Sequence, residues 1–283
     1  IYTLSLHDAL PIWSAGREVS RPHEKILGEI KALVADGCLE VTLLGQNVNS
    51  YGNDRKDGYG FADLLRDVNA IEGLERIRFM TSHPKDMTDE VIDAVAACDK
   101  VCPAVHLAVQ SGSTKVLKAM HRGYTKEKII ALVEKMHKRI PHVAITTDLI
   151  VGFPGETETD FEETLDIVRR CHFDAAFSFL YSIRTGTPAA KMPDQIPENI
   201  KHERLNRLLK VLHSEGNERN LWFQDQTVDV LVEGKSAHNE DRLSGRTMNG
   251  KLVNFDGNAA TIGTIVPVHI DCARTFSLDG HAV

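Results

Sequence analysis

The chain has 283 residues, of which 42% are hydrophobic and 26% are charged, and its formal net charge is -7 at pH 7. This is the composition of a globular protein, and no run of about eighteen apolar residues is present to span a bilayer. The acidic balance argues against indiscriminate nucleic-acid binding, although a local basic patch is still compatible with it. We therefore expect a cytoplasmic protein without a membrane partner.

The first twelve residues do not match the sequence that follows them. Residues 1–12 read IYTLSLHDALPI and show no helical or strand period that fits the following domain. They resemble the conceptual translation of sequencing-adaptor DNA, so we expect this segment to be non-native. A genuine disordered terminus is the alternative. Residues 13–15 fit either assignment.

Residues 23–182 alternate short apolar stretches with amphipathic helices. A capping box, Thr159 with Glu162 three residues later, predicts the start of one helix, and Thr125 precedes another. The apolar stretches are rich in β-branched and aromatic residues, which predicts strands covered on both faces. Five such strands are predicted, at residues 39–47, 76–82, 104–111, 144–153 and 175–182.

Strands that are separated by helices form a parallel sheet, so the fold class is α/β. Five strands are too few for a complete eight-stranded barrel, and the sequence therefore predicts an open or partial (β/α) barrel. Ligands in such folds bind at the carboxyl ends of the strands.

The composition changes after a long helix that follows Pro197. From Trp222 onward the chain consists of short alternating strands that are separated by Gly and Asn turns, which predicts a small all-β barrel. The predicted organisation is thus a non-native segment at 1–12, an α/β domain at 13–221 and a β domain at 222–283.

Small and polar residues recur at the ends of the predicted strands. Glycine permits close backbone approach, and amides and hydroxyls form hydrogen bonds without a fixed charge. This set suits a polar small molecule with ribose hydroxyls and an amino-acid end. Any single strand end is better explained as an ordinary turn, whereas five at one sheet edge favour a binding site. Asp148 lies within a strand and is either near a ligand or part of a structural network.

The sequence contains no recognisable catalytic centre of its own. It has no acid/base carboxylate pair, Walker-type loop or nucleophile elbow. The five cysteines are scattered, and no third cysteine or nearby histidine completes a metal site with Cys98 and Cys102. We predict neither a catalytic residue nor a metal ligand in this chain, so the reactive group has to come from a cofactor.

Several motifs carry a family resemblance. In chain order they are GREVSRP, VTLLGQNVNSYG, RFMTSHP, HLAVQSGS, TTDLIVGFPGETETDF and YSIRTGTPAA, followed by LSGRTMNGKLVNF. The first six resemble the radical S-adenosylmethionine methylthiotransferases of the MiaB type, and the last resembles that family's RNA-binding TRAM domain, which is an OB-like barrel. The resemblance covers residues 16–283. It implies methylthiolation at C2 of N(6)-isopentenyladenosine next to the anticodon, with the tRNA anticodon stem-loop as partner.

The resemblance also implies the cofactors, which are S-adenosylmethionine and two 4Fe-4S clusters. The family's CxxxCxxC motif, expected just before GREVSRP, and its second set of three cysteines are absent from this sequence. We therefore expect a partial radical SAM barrel that lacks its first strand, and a monomer that is inactive alone. The implied S-adenosylmethionine-binding residues are Gly45, Gln46, Asn47, Ser82, Gln110, Ser111, Asp148, Gly152 and Arg184.

The carboxyl-terminal domain is acidic overall, with five Lys/Arg and eight Asp/Glu from Trp222 onward. The stretch RLSGRTMNGK nevertheless carries Arg242, Arg246 and Lys251 without an acidic residue, on a predicted turn. We expect these three residues to contact RNA, and a solvated charged loop is the alternative. Two other functions stay open: a ribosomal-protein methylthiotransferase of the same superfamily, and a fragment that only binds tRNA or S-adenosylmethionine.

Overall fold

The computed structural model describes residues 1–7, 19–237 and 239–283. The chain forms two compact units, one of residues 1–107 and 136–143 and the other of residues 108–135 and 144–283. None of the described helices has the length and apolar composition that a membrane crossing requires.

The first unit is built on a three-stranded parallel sheet. In sheet order, its strands are β1 (Tyr2–Ser5), β2 (Glu40–Leu44) and β3 (Arg76–Phe79). Its helices are α1 (His23–Ala35), α2 (Phe61–Asn69) and α3 (Asp89–Ala97). Leu43 of β2 is in register with Leu4 of β1 and with Phe79 of β3, and all three side chains are buried. Parallel strands joined by helices confirm the predicted α/β class.

Strand β1 brings the number of parallel strands to six, so the predicted count of five is wrong. Tyr2–Ser5 pairs in parallel with Val41–Leu44, and a 2.8 Å hydrogen bond from the Leu6 N–H extends the pairing. Leu4 and Leu6 are 1% and 0% exposed, so this short segment does have a strand period. The edge of β2 offers unpaired backbone groups, and the alternating segment satisfies them. The described residues therefore form six parallel strands.

The origin of the amino-terminal segment is a separate question from its conformation. The conformation of residues 1–7 does not show where the segment comes from, so the non-native origin of residues 1–12 stays a prediction. Residues 8–12 and the undecided residues 13–15 lie outside the part of the chain that the structure describes.

The second unit contains most of a second three-stranded parallel sheet. Its strands, in sheet order, are β4 (Ala104–Gln110), β5 (Ala144–Val151) and β6 (Ala175–Leu180), and residues 104–107 of β4 belong to the first unit. The helices are α4 (Thr114–Ala119), α5 (Lys126–Arg139), α6 (Glu158–Cys171) and α7 (Glu198–Leu221), and the last residues of α5 again belong to the first unit. All three strands fall within predicted ranges.

One face of strand β6 is open. Phe177 and Phe179 are 58% and 53% exposed, so the prediction that every strand is covered on both faces is wrong here. In the register, Phe177 lies beside Asp148 of β5, and Phe179 lies beside Ile150. An apolar sheet face that is left open in this way is typical of a ligand or partner site.

Helix α6 begins earlier than predicted. Its N-cap is Thr157 rather than Thr159, and the capping box closes with Asp160 rather than Glu162. Both threonines have an acid three residues later, so the local pattern does not distinguish them. Tertiary contacts do, because the Asp160 carboxylate also accepts hydrogen bonds from Ser113 Oγ at 2.7 Å and from Lys115 Nζ at 2.8 Å.

The end of the second unit is a closed five-stranded barrel, as predicted. In barrel order its strands are β10 (Ile265–Ala273), β11 (Leu278–Ala282), β9 (Leu252–Asp256), β8 (Asn239–Thr247) and β7 (Thr227–Ser236). Its core consists of buried apolar side chains, among them Val230, Phe255 and Ile270. Gly280 is required for close packing, because a Cβ there would clash with the His269 carbonyl of the neighbouring strand.

The Asp160 network predicts a stability that depends on pH. Burial opposes the charge, but hydrogen bonds from Lys115, Thr157 and Ser113 hold the pKa of Asp160 well below its usual range. A carboxylate with a lowered pKa stabilises the fold above its unfolded pKa of about 3.9, and this contribution is lost as pH falls. We expect Asp160→Asn to lower the free energy of unfolding by about 2 kcal/mol at pH 7. Urea unfolding at several pH values measures the change.

The difference between Asp160→Asn and the wild type should shrink progressively below about pH 4, where the carboxylate takes up a proton in the unfolded chain but stays charged in the folded one. Asp166→Asn is the matched control, since Asp166 forms a surface ion pair with Lys126 and its side chain is 45% exposed. Such a pair contributes about 0–1 kcal/mol. Equal effects of the two substitutions at pH 7 would contradict the assignment.

Candidate functional site

A cavity of about 750 Å³ lies at the carboxyl ends of the strands in the second unit. Its wall includes Gln110 at the end of β4, Asp148 and Ile150 of β5, and Phe179 of β6. The segment after β6, between residues 181 and 192, supplies much of the remaining wall. The volume falls in the range of about 300–1,000 Å³ that is usual for small-molecule sites. The cavity is therefore placed and sized as a ligand site in a parallel α/β fold.

Two polar residues of the cavity wall have an unusual backbone conformation. Gln110 is 8% exposed and has φ 74°, and His121, also in the wall, has φ 57°. A residue other than glycine in this left-handed region costs about 1–3 kcal/mol and persists only where its surroundings determine it. Such strain clusters at binding sites. It supports a functional role for the end of β4.

The charged lining residues favour a ligand that carries both hydroxyl and carboxylate groups. Asp148, predicted to lie either near a ligand or in a structural network, is part of the cavity wall. Arg122 and Arg184 also line it. A carboxylate accepts hydrogen bonds from hydroxyls or amines, and a guanidinium binds a carboxylate in a bidentate manner.

The apolar part of the wall is aromatic. Phe153 follows β5 and Tyr181 follows β6, and their rings meet edge to face with centroids 5.3 Å apart. Phe179 and Ile150, which are neighbours in the sheet register, add to this surface. Flat apolar walls of this kind suit a planar ring system such as a nucleobase.

Ser111 and Gly152, two predicted binding residues of this unit, lie outside the cavity wall. The Ser111 hydroxyl is fully buried, lies 3.3 Å from Thr164 Oγ1 and accepts a hydrogen bond from the Ser113 N–H. Gly152 has φ 79°, and a Cβ there would clash with the side chain of Lys201. In this structure both residues serve the packing behind the cavity.

The other predicted residues lie in the first unit. Gly45 packs against His7, whose Nδ1 would lie 2.8 Å from a Cβ at position 45. Gln46 is exposed, and the Asn47 amide donates to Asp86 Oδ2 at 2.6 Å. Ser82 is buried, with its N–H bound to the carbonyl of residue 106. The Asn47 side chain thus ties together two loops at the strand ends.

Sequence reasoning missed the residues that hold the cavity loops from behind. Lys201 and Arg204 of α7 are almost fully buried, and Arg204 forms an ion pair with Glu156 of the turn after β5. The sequence does contain a sign of this role. One face of the helix is formed by Lys201, Arg204, Leu208 and Leu212, so two cations occupy positions where apolar residues are normal.

The three cations predicted to contact RNA all have acidic partners. Arg242 and Arg246 lie on strand β8, and only Lys251 adjoins the turn, so the predicted placement on a turn is wrong for the two arginines. Their pairs are Arg242 with Asp256 and Asp279, Arg246 with Glu233, and Lys251 with Asp174. The partners come from other strands and from the α/β part, which is why the local sequence does not show them. RNA contact by these residues stays a prediction.

The residues present do not fit an iron-sulfur cluster. Of the five cysteines, Cys98, Cys102 and Cys171 are buried, and burial raises the pKa of Cys102 to about 11 and that of Cys171 to about 12. These groups are thiols at neutral pH, whereas cluster ligands are thiolates. Within the described residues, no three His, Cys, Asp or Glu side chains are grouped to hold a metal ion.

Comparisons with known proteins agree with this architecture. The sequence profile of the Radical SAM superfamily matches residues 7–168, and that of the TRAM domain matches residues 222–283. The tRNA-2-methylthio-N(6)-dimethylallyladenosine synthase of Clostridium botulinum (strain Hall) is 56% identical over 268 residues, which are 95% of this chain and 60% of that protein. The protein of the same name from Clostridioides difficile is 54% identical over 269 residues, 95% of this chain and 56% of that protein.

The chain thus spans about 60% of the length of the curated relatives that it matches. Among solved structures, it is similar to coproporphyrinogen III oxidase from Escherichia coli, described as a radical SAM enzyme, with a TM-score of 0.54 and 13% identity over 87% of this chain and 66% of that one. This likeness concerns the fold alone. The superfamily profile, however, covers more than half of the chain, including strands β2 to β5 and the end of β4 that borders the cavity. The chain therefore belongs to the Radical SAM superfamily.

Proposed function

We propose that this chain supplies the S-adenosylmethionine-binding α/β part and the TRAM domain of a tRNA methylthiotransferase. The observation that carries the proposal is the 56% identity, over 95% of the chain, to a tRNA-2-methylthio-N(6)-dimethylallyladenosine synthase. The relatives compared are named for a tRNA product, which favours tRNA over a ribosomal protein as substrate. The partner is then a tRNA that carries a dimethylallyl-adenosine beside its anticodon.

The cavity of the second unit fits S-adenosylmethionine. Phe153 and Tyr181 offer apolar walls for the adenine ring, and Gln110 with Asp148 offers hydrogen-bonding groups for the ribose hydroxyls. Arg184 is the residue that would bind the carboxylate of the methionine end. Bound S-adenosylmethionine supplies radical chemistry in enzymes of this kind. The side chains of this chain bind the cofactor, orient it and separate its nucleoside from water.

The chain on its own is proposed to bind without catalysing. Its five cysteines are spread over both units, and burial keeps Cys98, Cys102 and Cys171 protonated. No described residues supply the thiolates that a 4Fe-4S cluster needs. The cofactor-binding and RNA-binding steps can therefore be measured in this chain separately from the chemistry.

The first test is the binding of S-adenosylmethionine to the 283-residue chain, measured by isothermal titration calorimetry. Arg184→Ala should weaken the binding by about tenfold or more, because a hydrogen bond to a charged group contributes roughly 1.5–3 kcal/mol. The control is Lys191→Ala, which removes an exposed cation of the same segment that does not line the cavity. If Arg184→Ala binds S-adenosylmethionine with wild-type affinity, Arg184 is not a binding residue. If the wild type does not bind S-adenosylmethionine, the assignment of the cavity is rejected.

The second test concerns RNA. An anticodon stem-loop that carries the dimethylallyl-adenosine should bind the chain with an affinity that falls as salt rises, because phosphate contacts release counterions. Arg246→Ala should lower the slope of log affinity against log salt by about one, since it removes one phosphate contact. Lys31→Ala, which removes an exposed cation of α1, is the control. Binding that does not respond to salt would contradict the proposal that the TRAM domain contacts RNA phosphates.

A further inference from the structure

Helix α7 carries two buried cations on the face that packs against the turns behind the cavity. The side chains of Lys201 and Arg204 are 4% and 6% exposed. Removing a charged side chain from water costs several kcal/mol unless partners compensate for it. Apolar residues would fill the same positions at lower cost, so the contacts that these two cations make define their role.

Lys201 joins the end of strand β6 to the turn after β5. Its Nζ donates to the Tyr181 carbonyl at 3.0 Å and to Glu198 Oε1 at 2.7 Å, and it lies 5.7 Å from the centre of the Tyr181 ring. The aliphatic stem packs on Gly152, where any Cβ would clash with the Lys201 Cγ. The stem and the ammonium group therefore each hold a different cavity loop.

Arg204 holds the same turn through Glu156. One guanidinium nitrogen donates to Glu156 Oε1 at 2.8 Å and to the Glu156 carbonyl at 3.2 Å. Glu156 Oε1 also accepts the Gly152 N–H at 3.0 Å. The turn is thus closed on itself by Glu156 and fixed to α7 by Arg204.

These two anchored segments carry the aromatic walls of the cavity. Phe153 directly follows Gly152, and Tyr181 is the residue whose carbonyl Lys201 binds. The two rings touch edge to face, whereas neither Lys201 nor Arg204 lines the cavity. Movement of either anchor therefore shifts a wall that a ligand contacts, although the anchor itself does not reach the ligand.

We infer that Lys201 and Arg204 are positioning residues that set the spacing of Phe153 and Tyr181 and thereby the affinity of the cavity for the nucleoside of S-adenosylmethionine. The inference rests on the proposed function, because it takes this cofactor as the ligand. A purely structural role for the two cations would change the stability of the chain and leave the affinity of the folded chain unaltered.

The test is Lys201→Met in the 283-residue chain, since methionine keeps an unbranched apolar stem and removes the donors. Affinity for S-adenosylmethionine is measured by calorimetry at a temperature at which circular dichroism shows wild type and variant fully folded. We expect affinity to fall about tenfold, because the Tyr181 wall is no longer held in place and loses part of its contact with the ligand. Affinity for adenosine should fall in parallel, because the displaced walls contact the nucleoside.

Lys210→Met is the matched control, because Lys210 is an exposed lysine of the same helix. Glu156→Gln is the second variant: it keeps the shape of the side chain and one acceptor oxygen but removes the charge that pairs with Arg204, and it should weaken binding in the same direction. A lower melting temperature with unchanged affinity in both variants overturns the inference and leaves the proposed function intact. No binding by the wild-type chain overturns the assignment of the cavity to S-adenosylmethionine in the proposed function, and the inference with it.

Discussion

The ion pair between Arg204 and Glu156 is the contact on which the cavity most depends. Both side chains are nearly removed from water, and burial raises the pKa of Glu156 although Gly152 and Arg204 favour its charged form. Breaking a buried pair by removing one partner costs about 3–5 kcal/mol, because a charge is left uncompensated. The turn after β5 therefore cannot move away from α7 without a large penalty. Because Phe153 belongs to this turn, the position of the turn determines where the Phe153 ring lies in the cavity wall.

Buried carboxylates act in the same way at two other places in the second unit. Asp160 binds Thr157 of its own helix start together with Ser113 and Lys115. Asp174 accepts the Ile145 N–H at 2.8 Å and the Lys251 ammonium at 2.7 Å, which connects the α/β part to the barrel. In each case one carboxylate satisfies donors from segments that are distant in sequence. These charged contacts fix how the connected segments are placed against one another, because such hydrogen bonds are directional and apolar packing is less so.

The division into strands and helices could be predicted from the sequence because it follows from local periodicity. The apolar runs of β2 to β6 and the alternating strands of the barrel show their period within a few residues. Three features could not be predicted in this way. Strand β1 depends on the open edge of β2, the start of α6 depends on the partners of Asp160, and the exposure of Phe177 depends on which face of the sheet is covered.

For the candidate site, the sequence by itself determined the residue types and their location at strand ends. Gln110, Asp148 and Arg184 were predicted and do line the cavity. Only the tertiary structure decided that Ser111 and Gly152 serve the packing, that Lys201 and Arg204 brace the loops, and that the basic residues of the barrel are paired with acids. The reason is physical: a strand end or a charge is a local property of the chain, whereas the partner of a side chain depends on which distant segments folding brings within hydrogen-bonding distance.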